Sequence, residues 1–166
     1  MDHKKFILLD KPKKKRKNKE IIELAHDIKD FDKQYILLKS IQQNEANDIN
    51  HVKLAKREIN KKILSYKKQD ISKNRYNETI FITFDETIDL LCESNLLCYY
   101  CCNNMYIFYD NVREKKQWTL DRVNNDICHS KDNLVVSCLS CNLQKRRRES
   151  EAFKFMKQLK IKKNEN

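Results

Sequence analysis

Cys98-Tyr-Tyr-Cys101 and Cys138-Leu-Ser-Cys141 are two pairs of the form C-x-x-C, and they flank one short segment of the chain. Four thiolates at this spacing can close a tetrahedral zinc shell, and such a shell contributes folding energy directly. The competing explanation is a disulfide framework. Seven cysteines is an odd number, and nothing at the start of the chain resembles an export signal. Phe6-Ile7-Leu8-Leu9 is too short for a signal-peptide core and runs into charge. These features point to a reducing compartment and to metal over disulfides. Cys102 directly follows Cys101 and competes for the ion, but the x2 spacing is the commoner choice and matches the second pair. Cys92 reads as a small buried hydrophobe and Cys128 as a loop thiol.

Outward from the cysteines, composition sets the bounds. The 166 residues suit one domain, or a small domain with an extension. There is no glycine and a single proline, so turns fall to Asn and Asp, with Asn103-Asn104 and Asn124-Asn125 as expected sites. The formal charge is +11, but Lys, Asn and Ile are all encoded by A/T-rich codons, which inflates the lysine count. Clustering is therefore better evidence of an anionic partner than the total. Two clusters stand out, Lys13 to Lys17 and Lys145-Arg146-Arg147-Arg148. No stretch approaches the roughly eighteen apolar residues of a spanning helix. The expectation is an intracellular, non-secreted protein with no membrane contact.

Three regions follow. Residues 1–19 read as a disordered basic arm. Its run Pro12-Lys-Lys-Lys-Arg-Lys17 is read either as a nuclear localisation signal or as a solvated arm that holds phosphates non-specifically. Residues 20–79 read as a helical basic region. Ile21, Leu24, Ala25, Ile28 and Phe31 recur at helical steps, as do Val52, Ala55, Ile59, Ile63 and Tyr66, with a polar turn over 44–50. The opposite faces carry Lys56, Arg57, Lys61, Lys62, Lys67 and Lys68, either a solvated face or a DNA-contacting one. In the third region, residues 80–163, Thr83-Phe-Asp-Glu86 predicts a capping box and a helix ending near Asn95. Strands are expected over 105–109, 118–123 and 134–137, then helices over 141–148 and around Phe153, Met156 and Leu159.

The ordered set C-Y-Y-C (98–101), W-T-L-D-R-V-N-N (118–125), H-S-K-D-N-L-V-V (129–136) and C-L-S-C-N-L-Q-K (138–145) resembles the HNH, or ββα-metal, nuclease family. In particular, it is similar to the HNH proteins of phages and large DNA viruses that carry a paired-cysteine zinc knuckle. The resemblance covers about a third of the chain. It implies an α+β fold: a helical N-terminal region followed by a small ββα-metal domain with a four-cysteine zinc knuckle. It also implies a metal-dependent endonuclease acting on duplex or branched DNA. The expected location is the nucleus, on the basic run 12–17, or a site of virus replication.

By the same resemblance, Asp121 falls where the family has its metal-binding aspartate, Asn142 at the second ligand, and Asn133 at an asparagine that braces the loop between the strands. One carboxylate and one amide oxygen suit Mg²⁺ or Mn²⁺, in addition to structural Zn²⁺ on Cys98, Cys101, Cys138 and Cys141. The sequence departs from the family at Arg122, which stands where a general-base histidine usually follows the aspartate. Arginine stays protonated, so two readings remain open. In one, His129 activates water and Arg122 clamps the phosphate. In the other, catalysis is lost and the module only binds nucleic acid, with His129 structural or DNA-contacting. Similar viral-type sequences share the Asp-Arg pair.

Lys145, Arg146, Arg147 and Arg148 are expected to contact backbone phosphates, with Arg113 and Lys115-Lys116 extending that surface. A catalytically inactive zinc-finger nucleic-acid-binding protein is the alternative function. An RNA-directed enzyme, or a structural zinc module of a larger complex, is a third.

Overall fold

A computed structural model describes residues 16, 17, 21, 23, 26–45 and 48–159. The expected basic arm, and Leu24 and Ala25 of the expected first helix, lie outside the described residues apart from Arg16 and Lys17. Among the described residues the chain forms five helices and a two-stranded antiparallel sheet, an α+β arrangement. In chain order these are α1 (Phe31–Gln43), α2 (Ile49–Ser72), α3 (Phe84–Glu93), β1 (Trp118–Arg122), β2 (Leu134–Cys138), α4 (Leu139–Lys145) and α5 (Ser150–Gln158). Among the described residues no helix is long and apolar enough to cross a membrane.

Side-chain caps decide where most helices start. Asp30 accepts from the backbone N–H of Asp32 at 2.9 Å, and Asp48 from those of Asn50 and His51, each at 3.1 Å. Each carboxylate satisfies donors that the first helical turn leaves unpaired and sits at the positive end of the helix dipole. The expectation of one helix running from Glu20 through Phe31 therefore fails at Asp30. A short 3₁₀ turn, His26–Ile28, precedes that cap instead. The expected capping box is present at α3, where Thr83 and Glu86 bond each other's backbone. With no glycine available, three of the six left-handed positions among the described residues fall on Asn44, Asn74 and Asn95, the residue type that tolerates this conformation best after glycine.

β1 and β2 pair in a register that sets Trp118 opposite Cys138, Asp121 opposite Val135 and Arg122 opposite Leu134. α4 follows β2 without a loop and packs on both strands, while α1 packs on α3. The strand expected over 105–109 does not form. Tyr106 makes one isolated parallel bridge with Gln117, and the amide N–H groups of Ile107 and Phe108 donate instead to Gln34 Oε1 at 2.8 and 2.9 Å. A buried side-chain amide on α1 has taken the place of a neighbouring strand. The helix expected over 141–148 starts earlier, at Leu139, and stops at Lys145, where Arg146 turns left-handed.

Among the described residues, packing continues across residue 79. One cluster of buried side chains runs from Ile21 through α2 and α3 to Trp118, Leu120 and Phe153. Tyr66 on α2 accepts the backbone N–H of Leu120 on β1 at 3.1 Å. Helices and hairpin thus share one core. Gln34→Ala leaves two buried N–H groups without an acceptor, at about 1–3 kcal/mol each. A fall in unfolding free energy of that size, read from a lowered denaturant midpoint, is expected, and a shift within error would contradict this account of the 105–109 segment.

Candidate functional site

Cys98 and Cys101 lie in the turn after α3, Cys138 ends β2, and Cys141 sits in the first turn of α4. Their sulfurs all fall within 4.8 Å of one another, and Cys101 Sγ is 4.0 Å from Cys138 Sγ. Four sulfurs at about 2.3 Å from a central Zn²⁺ would be spaced by about 3.8 Å, so the cluster fits a tetrahedral ion with little movement. Two of them also accept backbone hydrogen bonds: Cys138 N–H donates to Cys98 Sγ at 3.3 Å, and Cys141 N–H to Cys138 Sγ at 3.4 Å. Hydrogen bonds from Cys138 and Cys141 hold the Cys98 thiol far below its usual range, and the same sharing pushes Cys141 up. A four-sulfur group with this spacing can hold a metal ion such as zinc. Cys102 is exposed and outside the group, its sulfur accepting from Gln158 Nε2 at 3.4 Å. Cys92 packs in the core as a small hydrophobe, and Cys128 is buried in the loop after β1.

The hairpin alternates its side chains, and that alternation divides the remaining site residues between two faces. Thr119 and Asp121 point toward α4. Asp121 is 5% exposed, and its Oδ2 accepts Tyr100 Oη–H at 2.7 Å and lies 3.4 Å from Lys145 Nζ. Asn142, placed by the turn that holds Cys141, donates from Nδ2 to Thr119 Oγ1 at 3.1 Å and to Leu120 O at 3.4 Å. Among the described residues its amide oxygen accepts no hydrogen bond. Burial pushes the Asp121 carboxyl up, against the Tyr100 hydrogen bond and the Lys145 charge, which pull it down. A carboxylate and a free amide oxygen therefore share one face. Lys145 is a correction: it is 0% exposed, bonded to Asp121 and at 2.8 Å to Arg122 O, and so cannot meet a phosphate from solvent.

Arg122 and His129 turn the other way, toward α2. Both are gripped by Asp70, a fully buried carboxylate that the sequence reading passed over. Asp70 accepts Arg122 Nη1 at 3.0 Å through Oδ1, and through Oδ2 both His129 N at 2.7 Å and Nδ1 at 2.8 Å. The imidazole also stacks on Tyr66, with centroids 4.7 Å apart and 20° between the planes. Arg122, expected as a phosphate clamp, is committed inward to Asp70 and Ile127 O. A signal for Asp70 was present. It is the next position of the apolar stripe Ile59, Ile63, Tyr66, and a carboxylate there must be buried and paired.

Asn133 braces the loop after β1. Its Nδ2 donates to Asn124 O and Cys128 O, and its Oδ1 accepts Asn124 N–H at 2.8 Å. Arg113, Arg146, Arg147 and Arg148 are exposed. Arg147 pairs with Asp126, and Arg148 lies 6.0 Å from the centroid of the Phe153 ring. Arg113 lines a separate shallow depression with Leu139 and Leu143. No protein-family model, curated protein or solved structure matches this chain.

Burial holds the His129 pKa below its usual 6.5, with Asp70 opposing that shift. Between the folded and unfolded values the unfolded chain binds the extra proton. The contribution of this group to stability therefore falls as the pH drops below about 6.5, and levels off once the folded ring is protonated. An NMR titration of the ring is expected to give a midpoint below 6.5, lowered further in Asp70→Asn. A midpoint at or above 6.5 would contradict the buried, neutral assignment.

Proposed function

We propose that this chain is a metal-dependent endonuclease of HNH type that hydrolyses phosphodiester bonds in DNA. The observation that carries the reading is the shared face of Asp121 and Asn142, set at a fixed offset from the four-cysteine cluster by one turn of α4. A zinc binder without catalysis has no need of a carboxylate on β1 and an unengaged amide oxygen on the helix that packs on that strand. Asp121 and Asn142 are the residues that would hold Mg²⁺ or Mn²⁺, whose chemistry is to stabilise charge on the departing oxygen and favour deprotonation of water.

The chain's own groups have separable tasks. Tyr100 and Lys145 fix the Asp121 carboxylate through Oδ2, and among the described residues no hydrogen bond engages Oδ1. Arg146 and Arg148 flank that face as phosphate contacts, alongside Arg147. His129 and Arg122 belong to the opposite face, so this reading makes them the anchor of the loop after β1 and not the base and clamp of the cleavage step. Asn133 supports the same loop from within.

One observation favours a second reading, a zinc-dependent nucleic-acid binder without catalysis. The Lys145 ammonium already neutralises Asp121, and a cation there competes with a divalent ion for the same charge.

Plasmid nicking separates the two readings. Wild-type protein with Mg²⁺ or Mn²⁺ is expected to nick, and Asp121→Ala and Asn142→Ala to lose activity by roughly a hundredfold or more, beyond the loss typical of outer-shell partners. His129→Gln is expected to retain cutting wherever it remains folded. Equal nicking by wild type, Asp121→Ala and Asn142→Ala would remove the nuclease reading. Duplex binding without cutting under any divalent ion would favour the second.

A further inference from the structure

Three guanidinium groups crowd the end of the hairpin beyond Asp121. Arg75 follows the left-handed Asn74 after α2, and its backbone N–H is fastened to Asp70 O at 2.9 Å. It lies close enough to Arg122 and His129 to disfavour the charged form of both. Arg147 arrives from the opposite side, just past the end of α4.

Two carboxylates answer these charges, and they differ in kind. Asp70 is buried and spent on Arg122 and His129. Asp126, in the loop after β1, has a side chain 66% exposed, and it bridges the two outer arginines. Arg147 Nη2 meets both of its oxygens at 2.9 and 3.1 Å, and Arg75 Nη2 lies 3.6 Å from Oδ1.

Exposed ion pairs add little to stability, so fold energetics give this bridge a small role. Its geometry has a different use. Guanidinium groups from two distant segments, converging on one solvent-facing oxyanion, are what recognition of a phosphodiester requires. The turn behind Arg75 holds its backbone, and Asp126 holds its guanidinium near that of Arg147 before any ligand arrives.

We propose that Arg75 and Arg147 form a subsite for one backbone phosphate of nucleic acid, and that Asp126 fills this subsite in the free protein until the phosphate displaces it. The proposal rests on the nucleic-acid reading above and adds to it a residue, Arg75, and an internal competitor. Asp126 weakens the hold on any single phosphate, so a duplex must engage further contacts along the same surface to remain bound. Arg146 and Arg148 are the neighbouring cations able to supply them.

Duplex binding by the full chain, in buffer without added Mg²⁺ or Mn²⁺, tests this. Asp126→Asn is expected to tighten binding by about two- to fivefold, the range set by release of an exposed ion pair. Removing any negative charge favours DNA, so the decisive comparison is non-additivity. In an Arg75→Ala/Arg147→Ala background, which is expected to bind more weakly with a salt slope shallower by about one, the Asp126→Asn gain should vanish. An equal gain in both backgrounds would reduce the effect to net charge and overturn the subsite.

Failure of the nucleic-acid reading would look different, since no variant would hold the duplex at any salt concentration. Inorganic phosphate titrated into the full chain, followed through the side-chain NMR signals of the arginines, still decides the subsite in that case. Arg75 and Arg147 shifting together, at lower phosphate in Asp126→Asn than in wild type, supports it. Unmoved signals in Asp126→Asn overturn it.

Discussion

Convergence of four sulfurs on one point is the constraint from which the rest of the candidate site is built. The cluster joins three pieces of backbone: the turn after α3, the last residue of β2 and the first turn of α4. β2 runs directly into α4 at Cys138, so fixing Cys138 and Cys141 fixes the angle between hairpin and helix. Asn142 follows Cys141 immediately, and its amide is therefore delivered against β1 beside Thr119. Tyr100 stands between the first two cysteines, and its hydroxyl is delivered to Asp121 by the same turn. A hairpin of two five-residue strands has little stability of its own, and a bound ion that favours only the folded arrangement strengthens it by linkage.

A second buried element does for the loop after β1 what the cysteines do for the helix. Asp70 ties Arg122 and His129 to α2, and Asn133 closes the loop from inside. Breaking such a buried group is costly because each partner would be left charged or unpaired away from water. The two devices act on opposite faces of one hairpin. That division is why Asp121 and Arg122, adjacent in sequence, end in different surroundings: Asp121 beside a phenol and an ammonium, Arg122 in a pair with a buried carboxylate.

Local signals in the sequence were legible where a local cause set the structure. The Thr83–Glu86 box, the stripe of α2 and the paired cysteines each name their own geometry within a few residues. Signals that needed a distant partner were not. The 105–109 segment carries strand-like residues, yet Gln34, some seventy residues earlier, supplies the acceptor a strand would have offered. Lys145 looked like the start of a basic run, but it lies four residues after Cys141 on the same helix. A spacing of four returns to the same face, and that face is buried. Asp70 was hidden for a related reason: its carboxylate occupies a position where the pattern asks for an apolar side chain, and its partners lie more than fifty residues away.

The most direct measurement is zinc K-edge X-ray absorption on the purified full chain, alongside metal quantification. The account predicts one zinc per chain with four sulfur neighbours at about 2.3 Å. Absence of bound metal, or a shell in which nitrogen or oxygen replaces any of the four sulfurs, would contradict it.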